Sequence, residues 1–412
     1  MPRIVFIHPD LGIGGAERLV VDAALALRKK GHFVHFVTSH HDRSHCFTET
    51  RDGTLDVTVV GDWLPRNFFG KFFALCAYLR MVYASLYIIL FSDLRPDIVF
   101  CDLISACIPI LKLRVPHVMF YCHFPDQLLS QPGGNLKSVY RAPLNWLEEL
   151  TTGHASKIFV NSKFTAQVFK QTFRNITTTP EILYPSINTE FFDKCTPSPL
   201  ATVIHDKNAE NAFIFLSINR YERKKNLGLA IDALHVLKNK DVKGEDSETL
   251  VHLIMAGGYD PLVAENVEYY DELLSHAEQL NVQDHVTFLK SPSDTDKTSL
   301  LSGCNCLLYT PSNEHFGIVP LEAMYYGKPV IAVNSGGPTE TIVDGETGFL
   351  CNPTNDDFAA AMLKCAHNQK LCTVLGSAGK QRTKCLFSFN AFTEQLNSVV
   401  ESLLGTAKSK DD

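Results

Sequence analysis

Short apolar runs recur along this chain, each closed by a polar residue, a glycine or a proline. RIVFIH, HFVHFV, PDIVFC, PHVMFYC and KIFV carry the first half, and FIFLSI, HLIMAG, VTFLK, CNCLLY and KPVIAV the second. Apolar residues fill consecutive positions in most of them, as in strands covered on both faces within a parallel sheet. Segments of helical length lie between. One runs to about Lys30, where Arg28, Lys29 and Lys30 crowd the last turn and Gly31 follows as a stop. Another runs from Phe316 to Tyr326, between CNCLLYTPS and KPVIAV. Strand, loop, helix and strand thus repeat in two blocks. The expected class is α/β, with two Rossmann-like domains facing each other across a cleft. Residues 1–195 form the first domain and 210–388 the second, with the polar, proline-bearing stretch 194–211 as the boundary.

Residues 68–91, FFGKFFALCAYLRMVYASLYIILF, depart from this alternation. From Phe72 to Phe91 the one charge is Arg80, and the stretch is long enough to cross a bilayer as a helix. Three readings compete: a span, a helix lying in the membrane face, and an internal helix. Arg80 at the centre of a span costs roughly 2.5–3.5 kcal/mol on insertion scales. The next run, PDIVFCD, also resumes the same sheet, so a single crossing would strand the first strands on the wrong side. A membrane-associating, interfacial helix is the favoured reading.

Composition changes this picture little. The chain has 412 residues, 45% hydrophobic and 20% charged, which is ordinary for two large α/β domains. A net charge of −7 gives no footprint for nucleic acid, and no such partner is expected. The 12 cysteines are scattered, with neither zinc spacing nor a disulfide framework, so reduced thiols in a cytosolic setting are expected. The sequon Asn175-Ile176-Thr177 is then unused. The first residues lead straight into a strand, so no cleaved signal peptide is expected.

Candidate chemistry concentrates after CNCLLYTPS. Glu314 and Glu322 stand eight apart, with His315-Phe316-Gly317 after the first. If a helix begins near Gly317, Glu314 lies in the loop and Glu322 roughly one and a half turns in. Backbone N–H groups at the helix start then lie between two carboxylates. That suits an anion flanked by hydroxyls, the outline of a nucleotide sugar. A lone pair at this spacing is more often an acidic first turn with one solvated Glu. SNEHFGIVPLEAM, followed by GKPVIA and SGGPTE, is far more specific. It resembles the retaining glycosyltransferases of family 4, which have the two-domain GT-B fold. Glu314 and Glu322 match the two glutamates of that family's E-x7-E motif. The resemblance implies that Glu314 holds donor-sugar hydroxyls and Glu322 the ribose, while backbone at Phe316, Gly317 and Ile318 meets sugar and phosphates. It also implies a last helix, 389–405, that crosses back onto the first domain, before a disordered tail, TAKSKDD.

Other motifs can be weighed beside this one. The loop HPDLGIGGAERLV could open a dinucleotide-binding unit, but its glycines do not follow G-x-G-x-x-G, and Ser39 and His40 stand where a ribose-binding acid is needed. It resembles the first loop of the same glycosyltransferases, with Gly14 and Gly15 lining the cleft opposite the donor. The bland alternative is that these glycines only let the helix pack closely. His123 in YCHFPD follows a strand end and matches a family histidine beside the donor sugar; otherwise it is a histidine satisfied by local backbone. Asp126 is a weaker candidate. Arg220, Arg223, Lys224 and Lys225 follow the FIFLSI strand, where cations suit a diphosphate leaving group. By resemblance Arg220 and Lys225 are the phosphate-binding pair, and Arg223 and Lys224 read as a solvated face. Gly257 and Gly258 permit close approach to the nucleotide.

Over nearly the whole chain, HPDLGIGGAERLV, FYCHFPD, SINRYERKKNL, MAGGYD and YTPSNEHFGIVPLEAM resemble the family branch that mannosylates the lipid-linked oligosaccharide. That resemblance implies GDP-mannose as donor and dolichyl-diphosphate chitobiose carrying one mannose as acceptor. It implies addition of an α-1,3 and then an α-1,6 mannose, with retention by front-face transfer, at the cytosolic face of the endoplasmic reticulum. A membrane surface and other glycosyltransferases of the pathway are the further partners implied. Neither a metal nor another cofactor is expected. The alternatives are a UDP-sugar enzyme that transfers N-acetylglucosamine to phosphatidylinositol, and a non-catalytic nucleotide-sugar-binding subunit.

Overall fold

The computed structural model describes residues 1–68, 70–129, 135–187, 189–204, 206, 209, 211–241 and 250–408. They form two compact units. The first comprises residues 1–186 and 389–412, the second 187–388. The change of unit falls at Ser186–Ile187, ahead of the expected limit at 195. Ile187 hydrogen-bonds to Phe387 and Asp193 to Tyr325, both within the second unit.

In the first unit the strands are β1 (Arg3–His8), β2 (Phe33–Thr38), β3 (Asp56–Val59), β4 (Ile98–Asp102), β5 (His117–Cys122), β6 (Lys157–Val160) and β7 (Glu181–Ile182). All pair in parallel, in the order β3-β2-β1-β4-β5-β6-β7. Phe6 of β1 stacks between Phe36 and Phe100, with ring centroids 5.0 and 4.9 Å away. That is the close cross-strand packing that uninterrupted apolar runs allow. The helix Phe389–Lys408 returns to this unit and lies on the helix Gly15–Lys29, burying Phe392, Leu396 and Val400. Glu394 accepts from Lys30 at 2.7 Å, and Asn397 pairs with His32 at 2.8 Å. Thr406–Lys408 of the expected disordered tail continue this helix, and 409–412 lie outside the described residues.

The apolar segment forms the helix Phe73–Leu90. One side packs on the first sheet through Met81, Ala84, Ile88 and Ile89. Arg80 points inward, is 6% exposed, and donates to the Ser39 carbonyl at 2.6 Å. Its charge is met by a strand-end carbonyl and by Asp62 at 3.3 Å. Phe72, Leu79, Tyr83 and Leu90 form an exposed stripe on the other side. By length and composition alone this helix could cross a membrane.

The second unit holds β8 (Phe213–Ile218), β9 (Val251–Gly257), β10 (Val286–Lys290), β11 (Cys306–Tyr309), β12 (Val330–Val333) and β13 (Gly348–Cys351). They are parallel, in the order β10-β9-β8-β11-β12-β13. In both units the strand order reverses direction beside the first strand, between β1 and β4 and between β8 and β11. Crevices outside the carboxyl ends of strands at such points are where doubly wound sheets bind ligands.

Candidate functional site

Three strand ends meet at the switch point of the first unit. His8 closes β1, Asp102 closes β4 and His123 follows β5. Asp102 is fully buried. One carboxylate oxygen lies 2.6 Å from His8 Nδ1 and the other 3.2 Å from His123 Nε2. His8 is also fully buried, with Nε2 3.7 Å from Glu17. Burial opposes charge on His8, but Asp102 and Glu17 outweigh it and push its pKa up to about 10. Burial likewise opposes ionisation of Asp102, yet the His8 charge and hydrogen bonds from both imidazoles hold its carboxyl below the ordinary value. A buried imidazolium–carboxylate pair therefore lies behind the partly exposed His123.

The loop after His123 is held from below. Asn161 Nδ2 donates to the His123 carbonyl at 3.0 Å. The buried Glu148 carboxylate accepts the N–H groups of Asp126 and Gln127 at 2.7 and 3.2 Å. Burial pushes Glu148 up to about 7. Asp126 itself pairs with Arg141 at 2.8 Å. Gly14 caps the helix Gly15–Lys29 in an extended conformation, and Glu17 folds back beside it. A Cβ at Gly15 would meet nothing within 4 Å, and one at Gly14 would meet only the Glu17 side chain. Tight helix packing is therefore not what these glycines serve.

In the second unit, β11 leads into the loop that carries Glu314. Lys225, from the loop after β8, donates to Glu314 at 2.5 Å, and Thr310 Oγ1 donates to the Lys225 carbonyl at 2.8 Å. Both side chains are half-buried. Burial first, then the Glu314 carboxylate, raises the pKa of the Tyr309 phenol beside them. The helix starts at Ile318 rather than Phe316, because Gly317 adopts φ 81°, a left-handed turn that glycine tolerates. The first N–H groups of such a helix have no intrahelical acceptor, and Ile318 is exposed there. Phe316 is buried against Phe387, so only its backbone is placed for the expected role.

A second loop clamps the first. Gly337 N–H donates to the Glu314 carbonyl at 2.7 Å, and Asn313 N–H to Ser335 Oγ at 3.0 Å. A Cβ on Gly337 would sit 2.1 Å from the Phe316 carbonyl oxygen. Glu322 lies one helical turn in, 8% exposed, with Lys297 Nζ 2.7 Å from both carboxylate oxygens.

The four expected cations separate. Lys225 faces Glu314. Arg223 is taken by Glu268 and Glu272, and Lys224 by Glu222. Arg220 is exposed and reaches Glu222 at 2.8 Å. Gly257 is needed inside the fold, because a Cβ there would sit 1.7 Å from the Asn219 carbonyl. Among the described residues, no group of three or more His, Cys, Asp or Glu side chains is arranged to hold a metal ion.

Glu314, Glu322, Lys225, Phe316, Gly317 and Ile318 thus gather at the exit of β11, with Arg220 and Gly257 at neighbouring strand ends. Gly14, Gly15 and His123 belong to the first unit. His8, Asp102, Lys297 and Glu148 escape the motif reading. For His8 and Asp102 a signal existed, since each ends an apolar run as His123 does.

Residues 13–191 match the family described as Glycosyltransferase Family 4, and residues 202–382 the one described as Glycosyl transferases group 1. An α-1,3/1,6-mannosyltransferase ALG2 of Mus musculus is 52% identical over 408 residues, covering 98% of this chain and 97% of its own. That of Homo sapiens is 52% identical, covering 98% and 96%. Among solved structures, a sucrose-phosphate synthase from Thermosynechococcus elongatus superposes with a TM-score of 0.75 at 18% identity, covering 98% of this chain and all of its own. Together with the two parallel sheets and the returning last helix, these matches establish the GT-B fold.

Proposed function

Because the chain belongs to the family of α-1,3/1,6-mannosyltransferases within glycosyltransferase family 4, we propose that it transfers mannose from GDP-mannose to dolichyl-diphosphate chitobiose carrying one mannose. It adds an α-1,3 and then an α-1,6 residue at the cytosolic face of the endoplasmic reticulum. Identity of 52% over nearly the whole chain favours this over the N-acetylglucosaminyl and non-catalytic readings. The observation that carries the chemistry is the Lys225–Glu314 pair at the exit of β11, beside an open helix start.

Glu314 accepts hydrogen bonds from the mannosyl hydroxyls, and Lys225 turns to the diphosphate. Arg220, exposed at the next strand end, supplies a second cation. Glu322, paired with Lys297, accepts from the ribose, and backbone at Phe316, Gly317 and Ile318 meets sugar and phosphate. His123 receives a sugar hydroxyl, and the loop of Gly14 and Gly15 borders the acceptor. The C1–phosphate bond breaks as the acceptor oxygen attaches on the same face. The hydroxyl proton passes to the departing phosphate of GDP. Fixed cations and helix N–H groups stabilise the charge that develops there, so the reaction needs no divalent metal.

Purified protein given GDP-mannose and a synthetic mannosyl-chitobiosyl-diphosphate lipid should add two mannoses, one α-1,3 and one α-1,6, equally well in EDTA. Turnover of a UDP-sugar instead would overturn the donor assignment, and loss of transfer in EDTA the metal-free mechanism.

The stripe of Phe72, Leu79, Tyr83 and Leu90 supports a membrane surface as partner, with the helix lying in the interface. Leu79→Glu with Leu90→Glu should weaken co-sedimentation with phosphatidylcholine–phosphatidylinositol vesicles by roughly tenfold per residue. Undiminished binding by the double variant would sink this assignment.

A further inference from the structure

We propose that Asp102, backed by His8, is a positioning residue that fixes His123 as its Nε2–H tautomer and turns the Nδ1 lone pair toward a substrate hydroxyl. This rests on the reading of His123 as a sugar contact and deepens it. Its basis is hydrogen-bond accounting. An ionised carboxylate only accepts, so each ring nitrogen facing it must carry a proton. Asp102 is enclosed and faces two rings, His8 Nδ1 at 2.6 Å and His123 Nε2 at 3.2 Å. With Nε2 protonated, a neutral His123 keeps Nδ1 as an acceptor. A sugar hydroxyl donating to it then has its oxygen lone pairs free for other contacts.

His8 explains why Asp102 can remain a carboxylate where no water reaches it. An unpaired buried carboxylate takes up a proton, and a protonated Asp102 could donate to His123 and reverse the tautomer. His8 answers the second carboxylate oxygen, and Glu17 lies 3.7 Å beyond its far nitrogen. Charged and titratable groups from three elements therefore surround the pair: Glu17 from the helix Gly15–Lys29, His123 after β5, and Tyr121 within β5, whose ring lies 4.6 Å from that of His123. Asn161, just past the end of β6, fixes the His123 backbone, so the residue has one anchor at its carbonyl and one at Nε2. Such outer partners of a functional histidine set its orientation and tautomer.

The test combines two measurements. In the full-length protein carrying 15N-labelled histidine, the resonance lost in His123→Ala identifies His123, and its nitrogen shifts report the tautomer. A neutral ring protonated at Nε2 is expected; protonation at Nδ1 overturns the proposal. In transfer assays, Asp102→Ala should lower kcat roughly 10²-fold with KM for GDP-mannose changed by less than about threefold. It should cost nothing further when His123→Ala is already present. Additive losses would show that Asp102 serves the fold rather than His123, and full activity in His123→Ala would overturn the substrate contact. The nitrogen shifts are read without turnover. A wrong donor or acceptor assignment therefore leaves the tautomer result standing and is told apart from failure of this inference.

Discussion

Glu314→Ala is expected to lower kcat/KM for mannosyl transfer by roughly 10³-fold, with little change in thermal stability. The carboxylate sits in a loop whose shape is held by backbone, not by its own side chain. Its carbonyl accepts from Gly337, and Asn313 is tied to Ser335. Removing the side chain leaves these bonds in place. What it removes is an acceptor that meets the reacting sugar, and the partner that aims Lys225. Lys225, half-buried, is left without its anion but can turn toward the open side of the loop, so the folding cost should stay well below the roughly 3 kcal/mol of breaking a fully buried pair. Lys225→Ala should give a comparable loss, and the double variant much less than the product of the two, because the pair acts as a unit. Rate measurements beside a melting curve decide this. A loss below tenfold with intact folding would remove Glu314 from the donor site.

Gly337→Ala should strongly damage the second unit. The new Cβ would lie 2.1 Å from the Phe316 carbonyl oxygen and 2.4 Å from its Cα. Both are backbone atoms, so no side chain can swing aside. Either the loop after β12 moves away, giving up the Gly337–Glu314 hydrogen bond, or the helix start at Gly317 shifts. Overpacking of this kind costs on the order of 3 kcal/mol, which for a unit of this size lowers its melting temperature by roughly 6–12 °C. Transfer should fall at the same time, since Glu314, Phe316 and Gly317 all hang on that loop. Gly15→Ala is the matched control: its Cβ meets nothing within 4 Å. Its melting temperature should not fall. If Gly337→Ala melts with the parent protein, the clamp between the two loops is not structural.

Much of the fold was legible because parallel strands buried on both faces leave uninterrupted apolar runs. RIVFIH became β1, KPVIAV became β12, and the run 72–91 became a helix. The boundary near 186 was not legible. Residues 187–195 look like the end of one block, and only contacts such as Asp193 with Tyr325 assign them to the next. The amphipathic use of the helix Phe73–Leu90 was likewise hidden, since its inner and outer faces are both apolar. Only the inward turn of Arg80 toward the Ser39 carbonyl tells them apart.

The candidate site divides in the same way. Glu314 and Glu322 share one local spacing and the cations of 220–225 another, so two separate stretches of sequence determined that these residues lie at strand ends and around one helix start. Which cation faces which acid was decided by tertiary structure. Lys225 reaches Glu314 and Arg223 reaches Glu272 because β8 lies beside β11 while the helix Ala264–Gln279 flanks the same loop. His8, Asp102 and His123 make the point most sharply. They are far apart in the chain, each an ordinary polar residue at the end of an apolar run. The strand order β1-β4-β5 sets them side by side, and burial turns three separate side chains into one charged hydrogen-bonded chain. Local periodicity determines which residues end strands. Only the order in which strands pair decides which of those ends become neighbours, because that order is set by contacts between segments the sequence keeps apart.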